Sequence, residues 1–233
     1  MSESLPVVLI PGLLASARLF APQIPELWRH GPVMVADHTR DDSLGAMARR
    51  ILAGAPPRFA LAGLSMGGYV AFEILRQAAS RVAKLALLDT SARADTPAAA
   101  AMRKAQMSLA STGRLGEVVE TQFERTVHPL HRSDPRLREL SRLMAEDVGP
   151  EAFLRQQTAI MGRPDARPLL ATIDCPTLVL VGEQDELTPL DRAVEMAHGI
   201  RAARLVTVTE CAHLSTLEQP REVTRALIEW LRG

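Results

Sequence analysis

Cysteine is scarce in this chain of 233 residues, which contains two, and aromatic residues make up only 3 % of it. Two cysteines are too few for a disulfide framework, so the sequence predicts a protein of a reducing compartment, the cytoplasm. The low aromatic content argues against a surface on which nucleic-acid bases stack. Basic and acidic residues are equal at 27 each, so no net charge attracts nucleic acid or anionic lipid. We therefore expect no nucleic-acid partner.

Long hydrophobic runs are also missing from the sequence. A membrane-spanning helix needs roughly 18 consecutive apolar residues, and no stretch reaches that length. The longest uncharged run near the middle of the chain, Phe59–Phe72, is interrupted by Ser65, Gly67 and Gly68. The first residues, Met1 to Pro6, lack the basic start and the apolar stretch of a secretory signal. We expect a cytoplasmic protein without a membrane span.

Short apolar runs alternate with helix-like segments along much of the chain. The runs are Val7–Ile10, Val33–Ala36, Phe59–Gly63, Lys84–Leu88, Thr177–Val181 and Arg204–Val208. Most of them are continuously apolar, which is typical of strands that are buried on both faces of a parallel sheet. The helical segments between them are Leu44–Ala53, Met66–Ala79, Leu190–His198 and Arg221–Leu231. This alternation predicts an α/β fold with a doubly wound, mostly parallel sheet of about six strands.

A region without strand-like runs separates the fourth apolar run from the fifth. Its predicted helices are Ala98–Ser111, Leu115–Val127, Arg136–Glu146 and Glu151–Met161. Pro97, Pro135 and Pro150 lie at or just before three of the helix starts, where a missing N–H costs nothing. We predict that residues 1–94 and 167–233 form the α/β core. Residues 95–166 are then a helical lid inserted between core strands, over the edge of the sheet.

A motif of the form G-x-S-x-G lies directly after the third apolar run, in the stretch Gly63–Gly68. Where a strand turns sharply into a helix, the two backbones come close, and Gly63 and Gly67 remove the Cβ atoms that would clash. The central residue, Ser65, is then held in a strained conformation with its hydroxyl above the sheet. The alternative is a turn of small residues that only packs a helix on a strand. The strand before the motif and the helix after it favour Ser65 as a nucleophile.

A serine at neutral pH needs a base to become a good nucleophile, and histidine is a suitable one. The six histidines are His30, His38, His128, His131, His198 and His213. In an open parallel sheet, functional side chains gather at the carboxyl ends of the strands. His213 lies at such an end, after the last predicted strand, whereas the neighbours of His38 look like an ordinary polar loop. We therefore predict His213 as the base.

An acidic side chain that orients the histidine should also follow a strand. Asp89 follows the run Lys84–Leu88, and Asp185 follows the run Thr177–Val181. The strand before Asp185 immediately precedes the strand that leads to His213, so the loops of these two residues should be neighbours. Asp89 remains the alternative acid, although an aspartate in such a place commonly bonds the N–H groups of its own loop.

Two backbone N–H groups are well placed to stabilise an oxyanion. The Met66 N–H lies at the start of the helix after Ser65, and the Leu13 N–H lies in the loop after the first strand. In that loop Pro11 cannot donate a hydrogen bond, and Gly12 lets the backbone approach closely. Taken alone, the same residues would equally suit an ordinary Pro-Gly turn. The converging serine, histidine and aspartate favour the catalytic interpretation.

Two further histidines, an aspartate and both cysteines are interpreted as structural residues. His128, His131 and Asp134 come close together in sequence, but Pro129 prevents a regular helical face, so a polar loop is favoured over a metal site. Cys175 precedes its strand and Cys211 follows the next one. Parallel pairing then puts the two cysteines at opposite ends of the sheet, roughly 15 Å or more apart, which is too far for a disulfide. We expect no metal and no organic cofactor.

The residues at these positions resemble the α/β-hydrolase superfamily over nearly the whole chain, Val7 to Leu231. The matching segments are Gly63–Gly68, Arg163–Pro189 and Cys211–Pro220, and they are most similar to the compact, single-lid branch with small carboxylesterases and enol-lactonases. The resemblance implies roles for five residues. They are Ser65 as nucleophile, Asp185 and His213 as its partners, and Leu13 and Met66 as oxyanion donors.

Two features depart from the superfamily pattern. The family usually has His-Gly where this chain has Pro11-Gly12, which removes a side chain that often braces the loop. The usual N-terminal antiparallel hairpin has no counterpart, which is why six strands are expected rather than eight. Neither departure affects Ser65, Asp185 or His213.

These observations predict a serine hydrolase that cleaves carboxylic esters through an acyl-enzyme, without a cofactor. The same residues would serve a thioesterase, a lactonase or a carbon–carbon bond hydrolase. A small-molecule binding protein without turnover is the alternative from another class. Apolar residues of the predicted lid suggest a substrate with an apolar portion, although they would equally pack the helices together: Met107, Phe123, Val127, Met144, Phe153 and Met161. The oligomeric state stays open.

Overall fold

A six-stranded parallel sheet forms the centre of the computed structural model, which describes residues 5–233. The strands are β1 (Val7–Ile10), β2 (Val33–Val35), β3 (Phe59–Leu64), β4 (Val82–Leu88), β5 (Thr177–Gly182) and β6 (Ala203–Val208). Their order across the sheet is β2-β1-β3-β4-β5-β6, and every neighbouring pair is parallel. The prediction of an α/β fold with about six mostly parallel strands is confirmed.

Helices cover both faces of the sheet. The α-helices of residues 5–233 are α1 (Ile24–Trp28), α2 (Leu44–Gly54), α3 (Met66–Ala78), α4 (Pro97–Ser111), α5 (Leu115–Thr126), α6 (Pro135–Met161), α7 (Arg167–Leu170), α8 (Leu190–Gly199), α9 (Ser215–Glu218) and α10 (Pro220–Arg232). Side chains at three helix starts accept hydrogen bonds from otherwise unpaired backbone N–H groups: Ser43 at α2, Thr96 at α4 and Asp134 at α6. These caps explain where the helices begin.

The inner strands are buried on both faces because their side chains alternate between two apolar layers. Val8, Ile10 and Leu61 pack in one layer with α2, α3 and α8. Val7 and Leu9 pack in the other layer with residues of α1 and α10. This two-sided burial is the reason that the strand sequences are continuously apolar rather than alternating.

The segment between β4 and β5 is helical, and α4, α5 and α6 pack against one another there. The sequence predicts two helices where α6 is found. The chain breaks at the expected place, since Gly149 has φ +76° and ψ 166°, a conformation that interrupts the helix. Pro150 follows and cannot donate the next helical hydrogen bond. The division into a core and a lid with boundaries at residues 95 and 166 stays a prediction.

Within residues 5–233, no helix has both the length and the apolarity to cross a membrane. The residues expected to lack a secretory signal lie mostly outside the described part of the chain, which begins at residue 5. Both cysteines are free thiols, in agreement with the expectation that they do not form a disulfide.

Candidate active site

The predicted site residues meet at the carboxyl ends of the strands. Ser65 follows β3, Asp89 follows β4, and Asp185 and His213 lie in the loops after β5 and β6. Gly12 lies in the loop after β1, which pairs with β3. Because all strands are parallel, these loops share one edge of the sheet.

Ser65 has the backbone strain that its motif predicts. Its φ of +55° and ψ of −114° are unusual for a residue with a Cβ atom. A Cβ atom at Gly63 would overlap the Gly67 carbonyl, and one at Gly67 would overlap the Ile10 carbonyl. Larger residues are therefore excluded at both positions. Further support comes from Thr90, whose hydroxyl donates to the Ser65 carbonyl oxygen at 2.7 Å.

The side chains of Ser65, His213 and Asp185 form one continuous chain of hydrogen bonds. Ser65 Oγ lies 2.9 Å from His213 Nε2, and His213 Nδ1 lies 2.7 Å from Asp185 Oδ2. Asp185 also accepts hydrogen bonds from the backbone N–H groups of Leu187 and Thr188, at 2.8 and 3.0 Å, and from the Thr188 hydroxyl at 2.7 Å. These bonds fix the carboxylate, which in turn orients the imidazole ring.

The histidine and its aspartate stabilise each other's charge. Burial lowers the pKa of His213, but the charge and hydrogen bond of Asp185 outweigh burial, so the net shift is upwards. Burial raises the pKa of Asp185, but the charge and hydrogen bond of His213 outweigh it, so the net shift is downwards. The carboxylate therefore stays ionised and favours the imidazolium that forms when His213 takes a proton.

Asp89, the alternative acid, makes different contacts. It is fully buried, its Oδ1 accepts a hydrogen bond from the Gly182 N–H at 2.9 Å, and its Oδ2 accepts one from the Ser215 hydroxyl. Burial, followed by the nearby charge of Asp185, raises its pKa well above the usual range. Asp89 thus joins the end of β4 to β5 and to the start of α9, whereas Asp185 contacts His213.

The two predicted oxyanion donors face no acceptor of their own chain: within residues 5–233, the N–H groups of Leu13 and Met66 have no protein partner. The loop of Leu13 lies directly against the serine, since a Cβ atom on Gly12 would come within 3.3 Å of Ser65 Cβ. The next residue, Leu14, has φ +54°, and its N–H donates to the buried Gln156 Oε1 at 3.1 Å. This bond ties the loop to α6.

His38 has a role that the sequence interpretation missed. It is buried rather than part of an ordinary polar loop, and its Nε2 lies 2.9 Å from the Gly12 carbonyl oxygen. Burial lowers the pKa of His38, so the neutral ring donates this hydrogen bond. Pro11 stands where the family usually has a histidine whose side chain often holds this loop in place. In this chain His38, from the loop after β2, holds the loop through its contact with Gly12. The only sequence signal was that departure from the family pattern.

We expect His38→Met to lower kcat about tenfold with little change in KM, because a loosened Gly12 carbonyl moves the neighbouring Leu13 N–H, the predicted oxyanion donor. His38→Gln keeps a donor and should retain most of the activity. Steady-state kinetics with p-nitrophenyl acetate measure both variants. A wild-type kcat for His38→Met would show that the hydrogen bond has no effect on catalysis.

A cavity of about 540 Å³ opens beside the serine. Ser65 and His213 line it, together with apolar side chains from the sheet edge and from α4, α5 and α6: Leu14, Leu19, Met102, Val119, Phe123, Met144 and Ile160. Of the apolar residues predicted for a substrate pocket, Phe123 and Met144 line the cavity. The others do not, and Phe153 packs in a separate cluster among the inserted helices. Spacing along a helix does not distinguish these two environments.

Among residues 5–233 there is no cluster of three or more histidine, cysteine or carboxylate side chains that suits a metal ion. The residues considered for a metal site have other partners. His128 Nδ1 accepts from the Leu130 N–H, His131 Nδ1 lies 3.1 Å from Glu218 Oε2, and Asp134 accepts from the Arg136 N–H at the start of α6. The site described above consists of amino-acid side chains and backbone N–H groups.

Comparison with known proteins agrees with this fold. A thermophilic esterase from Thermogutta terrifontis superimposes with a TM-score of 0.89 at 32 % identity, over 98 % of this chain and 89 % of that one. The enol-lactonase from Burkholderia xenovorans shares the fold, with a TM-score of 0.87 at 22 % identity over 100 % of this chain and 93 % of that one. A pimeloyl-[acyl-carrier protein] methyl ester esterase from Nitrosomonas europaea is 28 % identical over 189 residues, 78 % of this chain and 74 % of that protein.

The family comparison covers almost the whole chain. Residues 7–226 match the model of the alpha/beta hydrolase family. This span includes every strand of the sheet, as well as Ser65, Asp185 and His213. This protein therefore belongs to the alpha/beta hydrolase family.

Proposed function

We propose that this hydrolase cleaves carboxylic esters, with Ser65 as the nucleophile, His213 as the general base and Asp185 as the residue that orients it. The observation that carries the proposal is the unbroken hydrogen-bonded chain from Ser65 through His213 to Asp185 at the wall of a cavity. A serine within hydrogen-bond distance of a base that a third group orients is an arrangement that activates a nucleophile.

The first half of the reaction forms an acyl-enzyme. Ser65 Oγ attacks the ester carbonyl carbon while His213 Nε2 takes the hydroxyl proton, and the N–H groups of Leu13 and Met66 stabilise the resulting oxyanion. When the tetrahedral intermediate collapses, the bond from carbon to the alcohol oxygen breaks. His213 then gives its proton to the leaving alcohol.

The second half of the reaction releases the acid. His213 takes a proton from a water molecule, which attacks the acyl carbon and forms a second tetrahedral intermediate. The bond to Ser65 Oγ breaks, and His213 returns the proton to the serine. The reaction consumes one ester and one water, and it yields one acid and one alcohol without a cofactor.

The relatives support an ester as the substrate, because the proteins named above include two esterases and an enol-lactonase. A protein from Rhizobium rhizogenes with the name putative carbamate hydrolase is 25 % identical over 97 % of this chain and 92 % of that protein, so the relatives also include an enzyme for an acyl compound other than an ester. A binding protein without turnover is the contrasting proposal. It would not need a base within hydrogen-bond distance of Ser65.

A substrate panel tests the proposal. p-Nitrophenyl esters of increasing chain length, assayed beside thioesters and lactones, should show ester hydrolysis with kcat/KM highest for acyl chains that fit the cavity. A fluorophosphonate probe should label the protein, since labelling requires an activated serine. Preference for a thioester or a lactone would revise the substrate class. The absence of both labelling and turnover would contradict the hydrolase mechanism and favour the binding-protein alternative.

A further inference from the structure

One wall of the cavity is built from arginines. Arg93, Arg103, Arg163 and Arg192 all line the cavity that contains Ser65, and we call them the arginine wall. They come from the loop after β4, from α4, from the end of the inserted helices and from α8. Arg163 Nε donates to the Arg93 carbonyl oxygen at 2.9 Å, which holds two members of the wall together.

The buried part of the wall has more positive than negative charge. Asp95 receives two arginines, with Arg103 Nε at 2.7 Å and Arg163 Nη1 at 2.6 Å. Side-chain exposure is 5 % for Asp95, 14 % for Arg103 and 9 % for Arg163. One carboxylate compensates only one of the two guanidinium groups. The remaining contacts of these two arginines are with neutral groups. Arg103 Nη1 donates a hydrogen bond to Gln157 Oε1 at 2.9 Å, and the guanidinium carbon of Arg163 lies 4.3 Å from the centre of the Tyr69 ring.

The other two arginines each have a carboxylate partner on α8. Glu195 accepts two hydrogen bonds from Arg93, at 2.9 and 3.0 Å. Arg167 Nη1 also lies 3.8 Å from Glu195, whereas Arg192 Nη1 lies 3.2 Å from the exposed carboxylate of Asp191. Arg125 and Glu186, which also line the cavity, are exposed and opposite in charge, so they do not change this balance.

Arg192 Nη1 makes an ion-pair contact but no aligned hydrogen bond. This nitrogen is buried without a hydrogen-bond partner among the described residues, although the exposed carboxylate of Asp191 lies 3.2 Å away. Ser141 Oγ, on the α6 side of the cavity lining, is buried without a partner as well. Buried polar atoms are nearly always hydrogen-bonded in native proteins, so the unpaired Ser141 hydroxyl at the cavity points to a group that the cavity receives.

We propose that the arginine wall binds an anionic oxygen group of the substrate, a carboxylate or a phosphate that is separate from the ester cleaved at Ser65. This inference rests on the proposed esterase function and makes it more specific. Guanidinium groups bind such anions through paired N–H donors, and a half-enclosed cavity strengthens the attraction. The substrate then lies with its ester at Ser65, its chain along the apolar lining and its anion at the arginines.

Matched methyl esters test the anion preference. We would compare monomethyl succinate, glutarate, adipate and pimelate with neutral esters in which an isopropyl group replaces the carboxylate, such as methyl 5-methylhexanoate for monomethyl glutarate. Methyl 4-phosphonobutanoate, matched to monomethyl glutarate, distinguishes a phosphate-type group from a carboxylate. We expect kcat/KM for the best anionic ester to exceed that of its neutral match at least tenfold. The advantage should shrink in 0.5 M NaCl because salt screens the attraction.

Two arginine variants test whether the arginine wall causes the preference for anionic esters. Arg192→Gln keeps a polar side chain but removes the charge, and it should lower the ratio of anionic to neutral kcat/KM about tenfold. Arg201→Gln is the matched control, since Arg201 is exposed and lies outside the cavity lining. That control should leave the ratio unchanged. A Ser65-dependent activity with no preference for anions, or a preference that Arg192→Gln does not alter, would overturn this inference and leave the proposed function intact.

A binding measurement separates the two proposals if no ester is cleaved. Calorimetry of glutarate and adipate with the wild-type protein should show binding that Arg192→Gln weakens about tenfold and Arg201→Gln does not. Such binding would support the anion site even if the esterase proposal failed. Absence of binding, together with the absence of turnover, would overturn the anion site as well.

Discussion

Replacing Ser65 with alanine should abolish ester hydrolysis and labelling by a fluorophosphonate probe. The hydroxyl is the only group removed, and it is the group that His213 contacts at 2.9 Å. Losses of this kind in serine hydrolases reduce kcat on the order of 10⁴ to 10⁶. The backbone turn should survive, because alanine retains the Cβ atom and the flanking residues Gly63 and Gly67 are untouched.

Folding and activity can be measured separately in this variant. Ser65→Ala should keep the circular dichroism spectrum and the unfolding temperature of the wild type. Ser80→Ala, at an exposed position in the 3₁₀ turn after α3, is the matched control and should retain activity and labelling. If a pure preparation of Ser65→Ala still turned over esters at a substantial rate, the serine mechanism would be wrong.

The core of the fold was predictable from sequence because its strands and helices each repeat a regular pattern of buried apolar residues. The inner strands bury both faces, so they are largely apolar runs. The helices that pack on the sheet, α2, α3, α8 and α10, each have one apolar face. Short elements lack such a repeat. α1, α7 and α9 have 5, 4 and 4 residues, fewer than the two turns from which helical periodicity can be recognised, and none was predicted.

The residues of the candidate site that follow the strands were predictable, because the parallel topology of the sheet determines where they lie. Parallel strands bring their carboxyl ends to one edge, so Ser65, Asp185 and His213 could be expected together before any distance was known. The partners that hold them could not be expected. Thr188 and Gln156 act through side-chain hydrogen bonds to specific neighbours, and no sequence spacing identifies those neighbours.

The arginines of the cavity show the same limit of sequence analysis. The spacing of Arg163, Asp165 and Arg167 along the chain favours ion pairs among these three residues. Arg167 does pair with Asp165, with Nη2 and Oδ2 at 2.5 Å, but Arg163 binds Asp95 instead. Asp95 is 68 positions away from Arg163 along the chain, and only the fold brings them together. Charge spacing in the sequence describes local pairs well and tertiary pairs poorly.

The second large effect is expected at Asp185. Asp185→Asn preserves the size of the side chain but removes the charge that favours imidazolium on His213. It also offers an N–H where the carboxylate accepts one, which can select the wrong tautomer of the ring. The equivalent change in a serine protease costs about 10⁴ in kcat. We expect a loss of similar size here, measured with p-nitrophenyl acetate at a pH where the wild type is fully active.

The pH profile gives an independent measure of the same contact. The base must be neutral, so kcat/KM of the wild type should rise with pH through the pKa of His213. Because Asp185 raises that pKa above the ordinary value of 6.5, the rise should lie above pH 6.5. Asp185→Asn removes the main cause of the increase. The residual activity should then rise at a lower pH than in the wild type.

Asp89→Asn is the matched comparison, since it makes the same chemical change at the alternative acid. Asparagine can still accept the hydrogen bond from the Gly182 N–H, and only the bond from Ser215 must rearrange. One weakened hydrogen bond costs about 1 kcal/mol of the free energy of unfolding, so the effect should be a lower unfolding temperature and a loss of kcat below about tenfold. If folded Asp89→Asn proved the more damaging variant, Asp89 would be the orienting acid. Ester hydrolysis by Ser65 would still stand, because either carboxylate acts through His213.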